Sequence, residues 1–467
     1  MHDEVNQLRR TETIGILTTT SATFMTAFAG SSSNIALPTI AAEFGLDAVN
    51  LGWIALSYML ATAALVLPMG RIGDLYGRRR VFVTGVAIFT IASGLCAIPL
   101  GIKALIAFRV LQGVGASMQF ATGMAITTSI FPAHRRGAAL GINTASVYIG
   151  ISIGPTLGGW LTHAFGWEAV FLACIPPGLV VLVIGGLLLK GEWKDAEGES
   201  FDIPGTVLYG LSLVTLLLGL TWITKPQGPP LVGGAILLFI GLWMVENRVR
   251  YPVVNTRIFK NNRAFTFSNL AALINYSATF GTGYMLSLYL QNLRGLTPQE
   301  AGMVLLTQPV IQAVLSPLTG RLSDRVEPTW LASGGMALTT VGLALMSFHG
   351  QATPTWFTMM TLAILGGGFA LFSSPNTNAV MRSLNRRDFG VGSATLATMR
   401  IIGQIMSLGI ATVMFAVILG NVTIDRTVGP GFLHSMALTM RIFAALCFVG
   451  IFFSLSRGRV LKREEEH

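Results

Sequence analysis

Long apolar runs follow one another from residue 13 to residue 456, separated by short segments rich in charge, Gly, Pro or Asn. Read by those boundaries, the pattern predicts helices near 13–37, 50–69, 81–100, 104–131, 137–162, 168–189, 203–223, 229–246, 264–290, 300–319, 328–348, 354–380, 389–420 and 433–456. Each has about the 20 residues that cross a hydrocarbon core of about 30 Å. Most lack the polar face that an amphipathic helix of a water-soluble protein carries. The expectation is an all-α membrane protein with fourteen transmembrane helices. The first run is too long for a signal peptide and continues into the body of the pattern, so no cleavable leader is expected.

Composition strengthens this reading, and charge adds an orientation. The chain is 52% hydrophobic and 11% charged, against roughly 25% charged residues in soluble domains. With both termini on one side, the segments on that side hold 24 of the 31 Lys and Arg residues. The opposite loops hold Lys103, Lys225, Arg294 and Arg426, while Arg109, Arg400 and Arg441 fall inside predicted helices. Basic residues collect on the cytoplasmic side of membrane proteins, so both termini are placed there. The net charge of +10 then reflects orientation towards anionic headgroups and calls for no nucleic-acid partner.

One loop is repeated. Gly70-Arg71-Ile72-Gly73-Asp74-Leu75-Tyr76-Gly77-Arg78-Arg79-Arg80 follows the second predicted helix, and a shorter echo, Gly320-Arg321-Leu322-Ser323-Asp324-Arg325, follows the tenth. Two six-helix halves would put the echo after the eighth, so two helices are inserted between them. The expected division is a six-helix bundle at 1–190, a linker with two inserted helices at 191–262, and a second six-helix bundle with a short cytoplasmic tail at 263–467. Glycines permit a tight turn, and Asp74 can accept charge-assisted hydrogen bonds from arginines or helix N-terminal amides. Topology-setting charge explains the arginines but neither Asp74 nor the glycine spacing. Gly70, Asp74, Gly77, Arg78 and Arg79, with Gly320 and Asp324 in the echo, are therefore expected to form a cytoplasmic latch that makes and breaks between two states.

Cys96, Cys174 and Cys447 lie scattered in predicted helices without metal-ligand spacing, and the six histidines are equally dispersed. No Ser/His/Asp set, carboxylate pair or phosphate-cradling loop emerges, so no enzyme activity, metal or cofactor is expected. Gly150, Gly154 and Gly158, with Gly159 beside them, form a stripe at helical spacing that favours close packing. Pro155 adds a kink. This packing is expected at the pseudo-symmetry interface. A mid-helix arginine raises the insertion free energy by roughly 2.5–3.5 kcal/mol, so Arg109 and Arg400 are expected to line a cavity or to find internal partners. A structural pin and a relay remain equal readings of Arg109.

Together these elements resemble the major facilitator superfamily. Gly70, Asp74, Gly77, Arg78 and Arg79 match its Gly-x-x-x-Asp-x-x-Gly-Arg-Arg signature. Arg109-Val110-Leu111-Gln112-Gly113-Val114-Gly115 resembles its Arg-x-x-Gln-Gly-x-Gly element, and the stretch from Gly150 to Gly159 resembles its antiporter motif. Asn34-Ile35-Ala36-Leu37-Pro38, and Trp167 and Phe171 before Pro176-Pro177-Gly178, are similar to the fourteen-helix drug:proton antiporter branch. The resemblance covers essentially the whole chain. It implies a monomeric plasma-membrane carrier, in contact with membrane lipids, that exports amphiphilic or drug-like small molecules by alternating access, with protons as candidate coupling ions.

That branch usually carries an acid in the first helix, at a place that falls here on Ala29 in Phe28-Ala29-Gly30-Ser31-Ser32-Ser33. No Asp or Glu lies well inside any predicted helix, whereas proton antiport needs a titratable group that responds to substrate. The alternatives are a uniporter or anion-selective exporter without proton coupling, or a lipid-handling protein. Polar residues within helices are the candidates for the substrate cavity: Asn34, Gln112, Gln119, Asn143, Asn275, Tyr276, Gln308, Gln312, Asn376, Asn378 and Gln404. Met25, Phe28, Trp53, Tyr58, Phe120 and Tyr284 could supply an adaptable apolar wall.

Overall fold

The computed structural model describes the chain apart from residues 1, 45–47, 195, 197, 224, 250–251, 253–255, 297, 420–428 and 459–467. Within helices the side chains at some further positions, 34 and 155 among them, also lie outside the described set.

Each predicted span coincides with a helix. The first five are α1 (His2–Phe44), α2 (Ala48–Tyr76), α3 (Arg78–Cys96), α4 (Ile102–Ile130) and α5 (Ala133–Phe165). The sixth is broken into α6 (Glu168–Leu172), α7 (Ile175–Val183) and a π-helical turn at Ile184–Leu188. Its break falls just before Pro176 and Pro177 in the first turn of α7, where proline removes a backbone donor and tolerates only the start of a helix. Then come α8 (Ile203–Thr221), α9 (Gly228–Glu246), the short α10 (Thr256–Asn261) and α11 (Arg263–Leu288), which ends in a π-helical turn. The tenth span is split into α12 (Pro298–Leu305) and α13 (Thr307–Leu322); α14 (Pro328–Met346), α15 (Thr355–Arg382), α16 (Phe389–Leu419) and α17 (Gly429–Ser456) complete the chain.

Among the described residues, 11 helices are long and apolar enough to cross a membrane. The shorter α8 is apolar too. The others, α1 and α11, carry many hydroxyls and amides. Thr18, Thr26 and Thr279 turn their hydroxyls back to the carbonyls of Ile14, Ala22 and Asn275 one turn earlier, which satisfies those groups without water. Length and composition alone thus account for fewer crossings than the fourteen that the pattern predicts.

The first bundle packs α1 against α5 and both α2 and α3 against α4. In the second, α11 packs on α16 and α17, and α14 and α13 on α15. The bundles meet along two seams, α2 and α4 against α16, and α5 against α13 and α15. The α8–α9 hairpin lies over the first seam, where the Tyr209 hydroxyl donates to Ala63 O at 2.9 Å and sits 2.9 Å from the Thr398 hydroxyl.

The glycine stripe of α5 packs inside the first bundle, not at the pseudo-symmetry interface. A Cβ on Gly150 would lie 2.7 Å from Phe24 O, one on Gly154 2.7 Å from Ser31 Cβ, and one on Gly158 2.8 Å from Ser32 Cβ. The small residues Ala27, Ser31 and Ser32 of α1 offer the matching surface, and Ser31 Oγ donates to Ile151 O at 2.8 Å. Gly159 is half-buried beside the stripe. The glycines that bring the halves together are others: Gly137 and Gly141 of α5 against Gly320 and Ser316 of α13, and Gly70 of α2 against Gly390 and Ala394 of α16. Replacing Gly150 with Val overpacks the α1–α5 contact and is expected to destabilise the protein by about 1–3 kcal/mol, read as a lower melting temperature in detergent. Gly233→Ala on α9, where a Cβ meets nothing within 4 Å, leaves it unchanged or raises it.

Candidate functional site

Asp74, in the last turn of α2, is fully buried. It accepts the Gly390 N–H and the Val391 N–H, each at 3.0 Å, from the first turn of α16 in the other bundle. Those amides are the positive end of the helix and suit an anion. Arg78 adds Nε at 2.9 Å to the same carboxylate and gives its other nitrogens to Ser129 Oγ at 3.1 Å and to the Arg386 carbonyl at 2.6 Å. One carboxylate thus joins the two bundles.

The echo builds the same contact with the partners exchanged. Asp324, just beyond α13, accepts the Gly137 and Ala138 N–H groups of α5 at 2.8 and 3.0 Å. Its guanidinium comes from α15: Arg382 Nη2 lies 3.3 Å away, and Arg382 Nε donates to Asn378 Oδ1 at 3.2 Å. Asn378 also donates to Ser323 Oγ at 2.9 Å, so it belongs to this contact and not to a cavity. Burial pushes the Asp324 carboxyl above the usual carboxylate range; the two amides, Arg382 and Asn378 pull the other way. Arg382 is invisible from the loop motif, and its one signal is the four-residue spacing from Asn378 along one helix face.

The linker after the first bundle wraps the 70–80 loop. Gly77, at φ +115°, turns the chain so that the Arg78 N–H reaches Trp193 O at 2.9 Å and the Arg79 N–H reaches Glu192 Oε1 at 3.0 Å. Arg79 also donates to the carbonyls of Gly185 and Gly186 at 3.2 and 2.5 Å, and Arg71 pairs with Glu199 at 2.5 Å.

Two arginines at membrane depth have opposite surroundings. Arg109 is 1% exposed. It donates to Ile54 O of α2 at 3.0 Å, Gln112 Oε1 at 2.6 Å and Ser33 Oγ of α1 at 3.4 Å, with Tyr58 stacked 4.4 Å away. Gln112 passes the chain on to Ser93 of α3 at 2.8 Å, so four helices are pinned together. Arg400 is half-buried. Its Nη2 donates to Thr377 Oγ1 of α15 at 2.9 Å, its guanidinium lies 5.6 Å from the Tyr276 ring, and its buried Nε has no partner among the described residues. Phe369 stands edge-on between Tyr276 and Tyr148, with centroids 5.2 and 5.8 Å away.

Of the polar candidates, Tyr276 stands beside Arg400, and Gln404, half-buried, lies one turn along α16 from Arg400. Gln112 and Gln119 turn into the first bundle, Gln119 towards Gly85 O of α3 at 3.3 Å. Asn275 faces Cys447 and Asn376 faces Ser268 O within the second bundle. Gln312 and Asn143 are buried and Gln308 is half-buried at the start of α13. The side chains of Asn34 and Pro155 lie outside the described residues. Met25, Phe28 and Tyr58 belong to the apolar core of the first bundle, Trp53 packs on Trp222 of the hairpin and Tyr284 on Phe415, and the Phe120 carbonyl accepts from Ser393 across the seam. Tyr148, Phe369 and Thr377 were not singled out by the sequence; an aromatic or a threonine in an apolar helix carries no mark of the face it occupies.

Asp74→Asn and Asp324→Asn each remove charge from one inter-bundle contact. Spin labels at the cytoplasmic ends of α2 and α16 are expected to report longer distances in Asp74→Asn, and Asp74→Asn is expected to slow exchange more than it weakens solute binding. Binding that falls while turnover holds would contradict a latch. Arg109→Met leaves Gln112 Oε1 without its donor and removes one of the donors to Ile54 O, which keeps Ser57 Oγ, a loss of about 1–3 kcal/mol for the orphaned group, so its melting temperature drops below that of Arg400→Met.

The sequence profile of the Major Facilitator Superfamily matches residues 19–403 and 268–466. Similar curated proteins include the riboflavin transporter RibZ of Clostridioides difficile, 31% identical over 92% of this chain and 94% of that protein. The tetracenomycin C resistance and export protein of Streptomyces glaucescens is 27% identical over 91% of this chain and 81% of that protein. Among solved structures, the human organic anion transporter MFSD10 superposes with a TM-score of 0.68 at 14% identity, covering 96% of this chain and 99% of that one. With the profile running through both bundles, the chain belongs to the major facilitator superfamily and is a multi-pass plasma-membrane transporter of small molecules.

Proposed function

We propose that the protein is a secondary transporter that exports amphiphilic, drug-like small molecules by alternating access, its two bundles at 1–190 and 263–467 rocking about the seam that residues 191–262 bridge. The observation that carries this reading is the pair of exchanged carboxylate contacts, Asp74 on α16 and Asp324 on α5, which hold one side of the seam together. The inter-bundle hydrogen bonds of Asp74, Asp324, Arg78 and Ser393 lie in the cytoplasmic halves of their helices, as in a carrier closed to the cytoplasm. Relatives named for multidrug resistance and for tetracenomycin C export support an export role for this chain.

A second reading, export without proton coupling, is favoured by the charge at membrane depth. The chain has arginines there and no carboxylate. Reconstituted protein is expected to move riboflavin or ethidium across proteoliposomes at a rate that does not change when the pH gradient is collapsed. A rate that follows the gradient would retain the carrier and overturn uncoupled export, and lipid movement without solute movement would overturn solute export.

A further inference from the structure

The α16 face that begins at Ser393 touches the first bundle: Ser393 Oγ donates to Phe120 O at 3.3 Å. Two turns further along this face stands Arg400, and one turn beyond it Gln404, both half-buried. At 1.5 Å of rise per residue, Arg400 lies about 16 Å from the cytoplasmic start of α16, the middle of a hydrocarbon core about 30 Å thick. Around it stand Tyr276 of α11 and Thr377 of α15, and through Phe369 the Tyr276 ring is linked to Tyr148 of α5 in the first bundle.

This guanidinium is under-satisfied. Its buried Nε has no partner, Thr377 is a neutral acceptor, and no carboxylate pairs with it among the described residues. Arg109 shows what a structural arginine looks like at comparable depth, with three nitrogens bonded and almost no exposure. A charged donor left open at mid-membrane marks a ligand path. A guanidinium has five donors and no acceptor, so what completes it is an oxygen acceptor, best a forked one such as a carboxylate or sulfonate. Beside it Tyr148, Phe369 and Tyr276 pack edge to face, each more than nine-tenths buried, and form an aromatic wall against which a flat ring can lie.

We propose that Arg400 anchors a binding subsite for planar aromatic solutes bearing an anionic oxygen group, with Thr377 orienting the guanidinium and the aromatic cluster receiving the ring. This deepens the transport reading and rests on it. The test uses the full chain in lipid nanodiscs and two labelled probes of one ring and different charge, 1-naphthoate and 1-naphthamide, measured by equilibrium dialysis against empty nanodiscs. The intact protein is expected to bind 1-naphthoate about tenfold more tightly than the amide, about 1.4 kcal/mol. Arg400→Gln removes that preference while amide binding is kept, and Arg400→Lys, which retains the charge without the fork, keeps part of it. Preference that survives Arg400→Gln, equal loss of both probes, or no binding of either by the intact protein would overturn the subsite. Riboflavin or ethidium transport that persists in proteoliposomes in any of those cases leaves the carrier standing, so the two failures are told apart.

Discussion

A carboxylate that accepts two backbone amides from a helix in the opposite bundle is expensive to desolvate and nearly repaid by its donors. Buried charge pairs of this kind sit close to balance, because removal from water offsets most of the attraction. Asp74 and Asp324 each meet that condition, with two amides and one guanidinium apiece. A contact near balance can be tipped by a modest differential interaction elsewhere, which is what a two-state carrier needs. The neighbouring glycines matter for the same reason. Gly70, Gly137 and Gly320 let backbones approach until the carboxylate reaches the amides; a side chain at any of them would hold the helices apart.

The duplication explains why the contacts are exchanged. Asp74 stands in the last turn of α2 and grips α16, the fifth helix of the second half, whereas Asp324 follows α13 and grips α5, the fifth helix of the first. Both α2 and α13 carry a proline shortly before the glycine, Pro68 and Pro317. The repeat conserves the carboxylate and its amide target but not the source of the guanidinium, which is Arg78 on the loop in one half and Arg382 on α15 in the other. A motif search along the chain sees the first and misses the second, because what is repeated is a location in space.

The same limit runs through the rest of the comparison between sequence and structure. The spans were legible because hydrocarbon imposes a length and a polarity on each, and the α8–α9 pair falls between the loop and its displaced echo. Helix rotation was not legible. Gln112, Gln119, Asn275 and Asn376 looked like cavity residues and turn instead into their own bundles, where their amides tie neighbouring helices together. In helices apolar almost all round, no amphipathic stripe says which face looks inward. The glycine stripe of α5 failed in the same way: its spacing was read correctly and its partner, α1, was not. Arg109 and Arg400 were equal in the sequence and became different only when their donors could be followed to acceptors.

The inserted hairpin and the linker bear on how the seam can move. The loop at 70–80 gives Asp74 to α16, yet its backbone and Arg71 and Arg79 are committed to the first bundle and to the linker at Glu192, Trp193 and Glu199. Under the proposed rocking, opening the cytoplasmic side separates α16 from the loop, where the Asp74 carboxylate, the Arg78–Arg386 bond and the Gly70 packing hold it, while the loop stays tied to the linker. The hairpin crosses that line: Tyr209 of α8 touches both the α2 carbonyl of Ala63 and the α16 hydroxyl of Thr398. One of those two contacts has to break when α2 and α16 part. α8 packs more extensively on α2 than on α16, so under the proposed rocking Thr398 is the contact expected to release.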